Sequence, residues 1–305
     1  MSLGPDALID RQKLKRLLSL WRTMAIIAVA ALIVVLFGHF DGLKRRQHIA
    51  RLTVSGIILE DRVRDEALDD IAGDDSVKAL IVRVDSPGGT VVGGEALFKN
   101  LRSVAAEKPV VAVMGTTATS AGYMVALGAD HIFAREGSIT GSIGVILQTT
   151  DISGLLAKLG VSTEAIKSSP LKAVPSPLEP LTPEGREATR ALIMDMYDMF
   201  VSLVAERRNL AREEAVGLAD GRIFTGRQAV ANKLIDAIGG EGEALVWLEA
   251  EHGISRSLPV RDVQLHYEAD FIDAAISTIA GKTKLSERLT LDGLISLWHL
   301  DLGRP

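Results

Sequence analysis

Apolar and polar positions divide the 305-residue chain into three textures. The first is an unbroken apolar run, "TMAIIAVAALIVVLFG" (23–38), with Trp21 and Phe40 at its flanks. Counted between those aromatics, it approaches the ~20 residues that span a bilayer. Arg11, Lys13, Lys15, Arg16 and Arg22 precede it, and Lys44, Arg45, Arg46 and Arg51 follow it, so basic charge alone does not orient it. The preceding segment is long, and "GHFDG" is a poor small-x-small site, which argues against a cleaved signal peptide. The pattern predicts a basic N-terminus over 1–22, an uncleaved anchor over 23–40 and a polar linker over 41–49.

From about Ala50 short β-rich runs alternate with helical spacing. "RLTVSGIIL" (51–59), "VKALIVRV" (77–84) and "PVVAVMG" (109–115) read as strands, and "HIFA" (131–134) and "SIGVILQT" (142–149) as shorter ones. Helices are predicted over 91–106, 120–128 and 151–160, the last closed by Gly160. This rhythm predicts an α/β domain over 50–254 built on a mainly parallel sheet. The texture then changes: "KSSPLKAVPSPLEPLTPEG" (167–185) holds five of the ten prolines and reads as an extended loop. A long helix follows over 183–208, with Thr182 as N-cap and Pro183 at its first position. Further helical patterns cover 211–219, 225–234 and "EALVWLEAEHG". The extension over 255–305 has amphipathic stretches at 268–280 and 289–300 that could pack on the domain, on another subunit or on a membrane, and the C-terminal additions are expected to be helical.

Composition narrows the function. Aromatics are 4% of a chain that is 47% hydrophobic, so the core rests on Val, Ile, Leu and Ala. A net charge of −5 and the lack of a continuous basic patch argue against a nucleic-acid partner. The chain has no cysteine, which excludes disulfides and a thiolate nucleophile. No metal-site or cofactor fingerprint is found, and none is expected.

The candidate chemistry starts with "GTTATSAGYM" (115–124), where Ser120 stands between a predicted strand and a predicted helix. A helix N-terminus favours developing negative charge, and the small residues around Ser120 admit a substrate backbone. The competing reading is an ordinary N-cap serine. "VDSPGG" (84–89) ends the neighbouring strand, so its glycines would open into the same crevice. Amides from Gly88 or Gly89 and from Ser120–Ala121 suit an oxyanion hole. A serine nucleophile needs a base. His131 fits a structural or surface residue better. Lys172, between Leu171 and Ala173 in the proline-rich loop, suits a desolvated amine base, and Lys167 in the same loop is its rival, although composition alone favours a solvated surface lysine for either.

With "RVDSPGGTV", "PVVAVMGTTATSAGYMVALGAD", "SITGSIGVI", "KSSPLKAVPSPLEPLTPEGR" and "DGRIFTGRQAVANKLIDAIGG" in that order over about 80–240, the chain resembles the signal peptide peptidase A group. These are membrane-anchored serine proteases of peptidase family S49, here in the short single-repeat form. The resemblance implies a crotonase/ClpP-like α/β fold and a Ser/Lys dyad. Ser120 falls on the family's nucleophile and Lys172, fifty-two residues on, falls on its general base. Ser142 matches the serine that orients the lysine, and Gly88 and Gly89 match the oxyanion loop, which Ala121 completes. Ala121 departs from the usual glycine, and Leu171 from a common bulky residue such as tyrosine.

The resemblance further implies peptide substrates, among them remnant signal peptides and short or unfolded segments. It implies a homo-oligomeric ring and a bacterial inner-membrane location, with residues 1–22 cytoplasmic and the catalytic domain extracytoplasmic, periplasmic in a Gram-negative cell. An acyl-CoA enzyme on the same fold and a non-catalytic membrane scaffold are the competing readings.

Overall fold

The computed structural model describes residues 17–30, 32, 47–265, 267 and 294–297. The chain divides into two units, 1–46 and 47–305. In the first, residues 17–30 and 32 are helical and exposed. They cover the beginning of the anchor predicted over 23–40; residues 31 and 33–40 lie outside the described residues. Among the described residues no helix is long and apolar enough to cross a membrane.

In the second unit the order is β1 (His48–Ile58), α1 (Arg62–Gly73), β2 (Val77–Thr90), α2 (Val91–Glu107), β3 (Val110–Thr119), α3 (Ala121–Ala126) and β4 (His131–Ala134). Then come β5 (Ile139–Gly141), β6 (Ile146–Leu147), α4 (Ser153–Lys158), α5 (Pro183–Arg208), α6 (Arg212–Leu218) and β7 (Ile223–Thr225). The series ends with α7 (Gly226–Ala231), β8 (Ala237–Ile238), α8 (Glu241–His252), β9 (Val260–Asp262) and β10 (Leu294–Leu297). Among the described residues, ten strands form one sheet. Parallel pairing joins β1 to β2, β2 to β3, β3 to β4 and β4 to β8, as alternating β and α elements require.

The central strands are apolar on both faces because both faces are covered. Leu80, Val82 and Ala112 point into one core with Leu97, Leu101, Met124 and Phe200. Ile81, Val111 and Val113 point the other way, against Ala244 and Leu248 of α8. The proline signal for α5 holds: Pro183 opens it, Thr182 Oγ1 accepts the Gly185 N–H at 3.1 Å, and Asn209 ends it in a left-handed conformation.

Four departures from the pattern have physical causes. β2 runs past Val84 to Thr90, because β1 goes on pairing with it through Ile57↔Gly88 and Ile58↔Gly89. The run "SIGVILQT" does not form one strand: β5 ends at Gly141, where φ is +83°, and β6 is a separate two-residue strand. Helix α1 escaped the hydrophobic pattern because its buried positions are Arg64, Leu68 and Ile71. A charged residue on the buried face hides the apolar stripe. Arg64 is accommodated by Nη2 donating to the Leu59 carbonyl at 2.7 Å. In the C-terminal extension, residues 294–297 are a strand where a helix was expected. They pair with open edges on both sides, and sheet pairing overrides the helical spacing. The rest of 268–280 and 289–300 lies outside the described residues.

Candidate active site

β3 carries the site. Its register with β5 ends at Thr119↔Gly141. The chain then breaks at Ser120, with φ 57° and ψ −121°, and enters α3. A residue with a Cβ adopts such a backbone at a cost of roughly 1–3 kcal/mol, which functional sites tolerate more often than caps do. The serine's own amide donates to the Gly141 carbonyl at 2.8 Å, and its carbonyl accepts the Met124 N–H at 2.9 Å. Its hydroxyl caps no helix amide. Ser120 therefore does not do the job of an N-cap serine. The geometry is a sharp strand-to-helix turn like the one that presents hydrolase nucleophiles. Ser120 is 1% exposed.

The turn is anchored from below. Tyr123 is buried in α3, and its hydroxyl donates to the Leu234 carbonyl at 2.8 Å. Burial pushes its phenol well above the ordinary value, so it stays a protonated donor.

The glycine loop lies beside this turn, since Ser86 pairs with Ala118. Ser86 is fully buried; its Oγ donates to the Gly56 carbonyl at 2.6 Å and accepts the Gly88 N–H at 3.1 Å. Thr119 Oγ1 donates to the Pro87 carbonyl at 3.0 Å, fastening the loop to the serine strand. A Cβ on Gly89 would stand 1.9 Å from the Ile58 carbonyl oxygen, so only glycine fits. Gly122 matters in the same way: a Cβ there would lie 3.0 Å from the Ser86 carbonyl oxygen. A Gly122→Ala chain is expected to keep its fold while displacing the glycine loop by a few tenths of an ångström. Its kcat/KM on peptides should drop about tenfold, because a misplacement near ~1 Å costs ~10²-fold. Circular dichroism beside a peptidase assay checks this.

The methyl of Ala121 does not project from the turn into the loop. Ala121 is fully buried, and a Cβ on Gly94 of α2 would meet the Ala121 Cβ at 3.1 Å. The methyl therefore packs against α2, and a glycine there makes the room. Ala121, Gly122 and Tyr123 open α3 and have no acceptor within the helix for their amides.

Ser142 follows Gly141, whose carbonyl holds the Ser120 amide. It is half-buried, has φ 50° and donates its N–H to the Arg222 carbonyl at 2.8 Å. Ser120 and Ser142 thus stand at the ends of neighbouring strands. Lys172 is exposed, and its N–H donates to the Ser169 carbonyl at 3.1 Å. No hydrogen bond among the described residues joins it to either serine. Two contacts place its loop. A Cβ on Gly185 would lie 2.5 Å from Val174 Cγ1, so Val174 packs on the first turn of α5. Leu171 shares a cavity of about 140 Å³ with Leu147 of β6, Val174 and Leu192. The rival Lys167 is ion-paired with Glu179, and its side chain is 16% exposed.

His131 is remote. It pairs with Val111, nine residues before Ser120, which is roughly 30 Å at 3.3 Å per residue. It packs between Phe133 and Trp247, with ring centroids 4.5 and 4.9 Å away. Its buried Nε2 has no partner, and burial holds its pKa below the ordinary value. The unfolded chain therefore binds a proton just below pH ~6.5 that the folded chain resists, so stability should fall with pH there. Urea titrations from pH 7.5 to 5.5 should show that slope, and His131→Phe should flatten it.

The sequence reading missed Ser86, Thr119 and Gly141. Polar residues this small, working through backbone contacts, carry no spacing signal.

Known proteins resemble this chain over the same region. The family model Peptidase family S49 matches residues 102–255. The Synechocystis sp. protein slr0021 is 43% identical over 211 residues, covering 68% of this chain and 76% of its own length. Protease 4 of Haemophilus influenzae is 33% identical over 214 residues, 69% of this chain and 34% of that protein. The chloroplastic serine protease SPPA of Arabidopsis thaliana is 30% identical over 242 residues, 79% of this chain and 35% of that protein. The chain thus spans about a third of the length of these last two. Among solved structures, ClpP1 of Listeria monocytogenes superposes with a TM-score of 0.42 at 16% identity, covering 62% of this chain and 91% of that one.

Proposed function

The chain belongs to peptidase family S49, and from that premise we propose that it is a serine endopeptidase using Ser120 as nucleophile and Lys172 as general base. One observation carries the reading: Ser120 is held at φ 57° on a strand-to-helix turn, without a capping role, beside the Gly88–Gly89 loop. Lys172 takes the Ser120 proton as Oγ attacks a peptide carbonyl. The lysine then protonates the departing amine, and water releases the acyl-enzyme. Ser142 orients the lysine from the next strand end.

Of the three residues expected at the oxyanion hole, Gly88 gives its amide to Ser86. We therefore assign the hole to the amides of Gly89 and Ala121, with Gly88 shaping the loop. Lys172 is preferred to Lys167 because Glu179 already occupies the latter.

The substrates in this reading are extended peptides such as remnant signal peptides and unfolded segments. A groove of about 1040 Å³ flanks β6, with Ile146, Leu147, Leu181, Ile193 and Met194 to receive apolar side chains and Arg186, Glu187 and Arg190 among its polar lining. The proposed ring is supported by exposed Leu155, Leu159, Val161, Ile166, Leu171 and Leu178, clustered in one stretch of chain, which a neighbouring copy would cover. Residues 23–40 would anchor the chain in the inner membrane with the catalytic domain outside the cytoplasm. The test is hydrolysis of a fluorogenic peptide library by the purified full chain. Turnover supports the reading. Retained coenzyme A without turnover would favour the acyl-CoA enzyme instead.

A further inference from the structure

β2 and β3 do not keep step along their whole length. They pair residue for residue as far as Val84↔Met114, and the next pair is Ser86↔Ala118. Over that interval β2 advances two residues and β3 advances four. The two extra residues make a bulge over Gly115–Thr117, just before the serine. A bulge leaves backbone groups without ladder partners. Here two side chains take them up. The Thr117 N–H donates to Asp85 Oδ1 at 3.1 Å, and the Gly115 carbonyl accepts the Ser138 hydroxyl at 2.6 Å. The rest of the half-buried Asp85 carboxylate fills the space beside Gly115: a Cβ there would stand 2.8 Å from Asp85 Cγ and 2.9 Å from Oδ2. The bulge is also where β3 changes neighbour. It pairs with β4 up to Met114↔Ala134 and with β5 from Thr117↔Ile139.

The extra residues decide where Ser120 stands. Carried on from Val84↔Met114 without a bulge, the register would set Ser120 beside Thr90, past both loop glycines. Carried on from Ser86↔Ala118, it sets Ser120 beside Gly88. The bulge thus draws the serine back by two residues, roughly 7 Å at ~3.3 Å per residue. Because the slip is of two residues and not one, every side chain keeps its face of the sheet. The bond from Thr119 Oγ1 to the Pro87 carbonyl fits the bulged register.

We propose that Asp85 is a positioning residue of the site: its carboxylate holds the β3 bulge in shape and so keeps Ser120 level with the Gly88–Gly89 loop. This rests on the protease reading above. Asp85 acts through the Thr117 amide, three residues before the nucleophile, rather than by touching substrate. What it sets is the placement of Ser120 Oγ against the amides assigned to the oxyanion hole. That placement matters most when the oxyanion forms, so the loss of Asp85 falls on kcat and leaves KM nearly unchanged.

The experiment compares the full chain with Asp85→Ala, Asp85→Asn and Gly115→Ala on a fluorogenic peptide. Asp85→Ala should lower kcat about 10²-fold with KM within about threefold, since a misplacement near ~1 Å costs that much. Asp85→Asn keeps an acceptor oxygen for the Thr117 amide and should stay within about fivefold of the parent. Gly115→Ala drives a methyl against the carboxylate and should lower kcat about tenfold in the parent. It should cost little more in the Asp85→Ala chain, where the carboxylate is gone, and that non-additivity marks the two as one device. Amide exchange at Thr117 should quicken in Asp85→Ala and not in Asp85→Asn. A parent-like kcat in Asp85→Ala, or an Asp85→Asn chain as slow as Asp85→Ala, would overturn the proposal. If Asp85→Ala does not fold, Gly115→Ala decides, and an unchanged kcat there would overturn it. Quickened Thr117 exchange in Asp85→Ala, with a parent that cleaves no peptide, would support the clamp on the bulge and overturn the protease reading instead.

Discussion

A Ser120→Ala chain is expected to lose at least about 10⁴-fold in kcat/KM while folding as the parent does, since removing the nucleophile of a serine protease costs on that order or more. Structure is expected to survive because the Ser120 hydroxyl caps nothing and alanine suits a site that is 1% exposed. Alanine also inherits the unfavourable backbone at φ 57°. Ser120→Gly separates strain from chemistry. Glycine relieves roughly 1–3 kcal/mol of backbone strain and gives back about 0.5–1 kcal/mol through the freer unfolded chain. The glycine chain should therefore be as inactive as the alanine chain and melt no lower than the parent. A Ser120→Gly chain that melts several degrees lower would mean that the hydroxyl is structural.

The second large effect concerns the two lysines. Lys172→Ala should lose about 10³-fold or more in kcat/KM, because an unassisted serine hydroxyl is a weak nucleophile. Lys172→Arg should fare no better, since a guanidinium keeps its proton at any working pH. Lys167→Ala should retain activity within a few-fold, because its ammonium serves an ion pair with Glu179 and the Lys172 segment has its own anchor in Val174 on Gly185. Loss of activity in Lys167→Ala with a normal Lys172→Ala would transfer the base to Lys167.

Much of the fold around the candidate site was legible in the order of residues. Buried parallel strands read as apolar runs, and Pro183 after Thr182 marks the start of α5 within one residue. The neighbouring strand ends that bring Ser86 beside Ala118 follow from alternating β and α elements. What could not be read depends on contacts between distant backbones. The Gly141 carbonyl that holds Ser120, and the Ser86 hydroxyl that takes the Gly88 amide, are invisible in composition. The direction of the Ala121 methyl was equally hidden: it depends on Gly94, twenty-seven residues earlier on another helix. The tail misled for the same reason. Helical spacing over 289–300 is a local signal, while the pairing of 294–297 depends on two open edges more than a hundred residues away.

The most direct test is covalent. A fluorophosphonate probe should label the full-length chain once, and peptide mapping should place the adduct on Ser120. Labelling should be abolished by Ser120→Ala, slowed at least tenfold by Lys172→Ala and left near the parent rate by Lys167→Ala. An adduct on any other serine, or a Lys172→Ala chain labelled at the parent rate, would contradict the Ser120/Lys172 dyad.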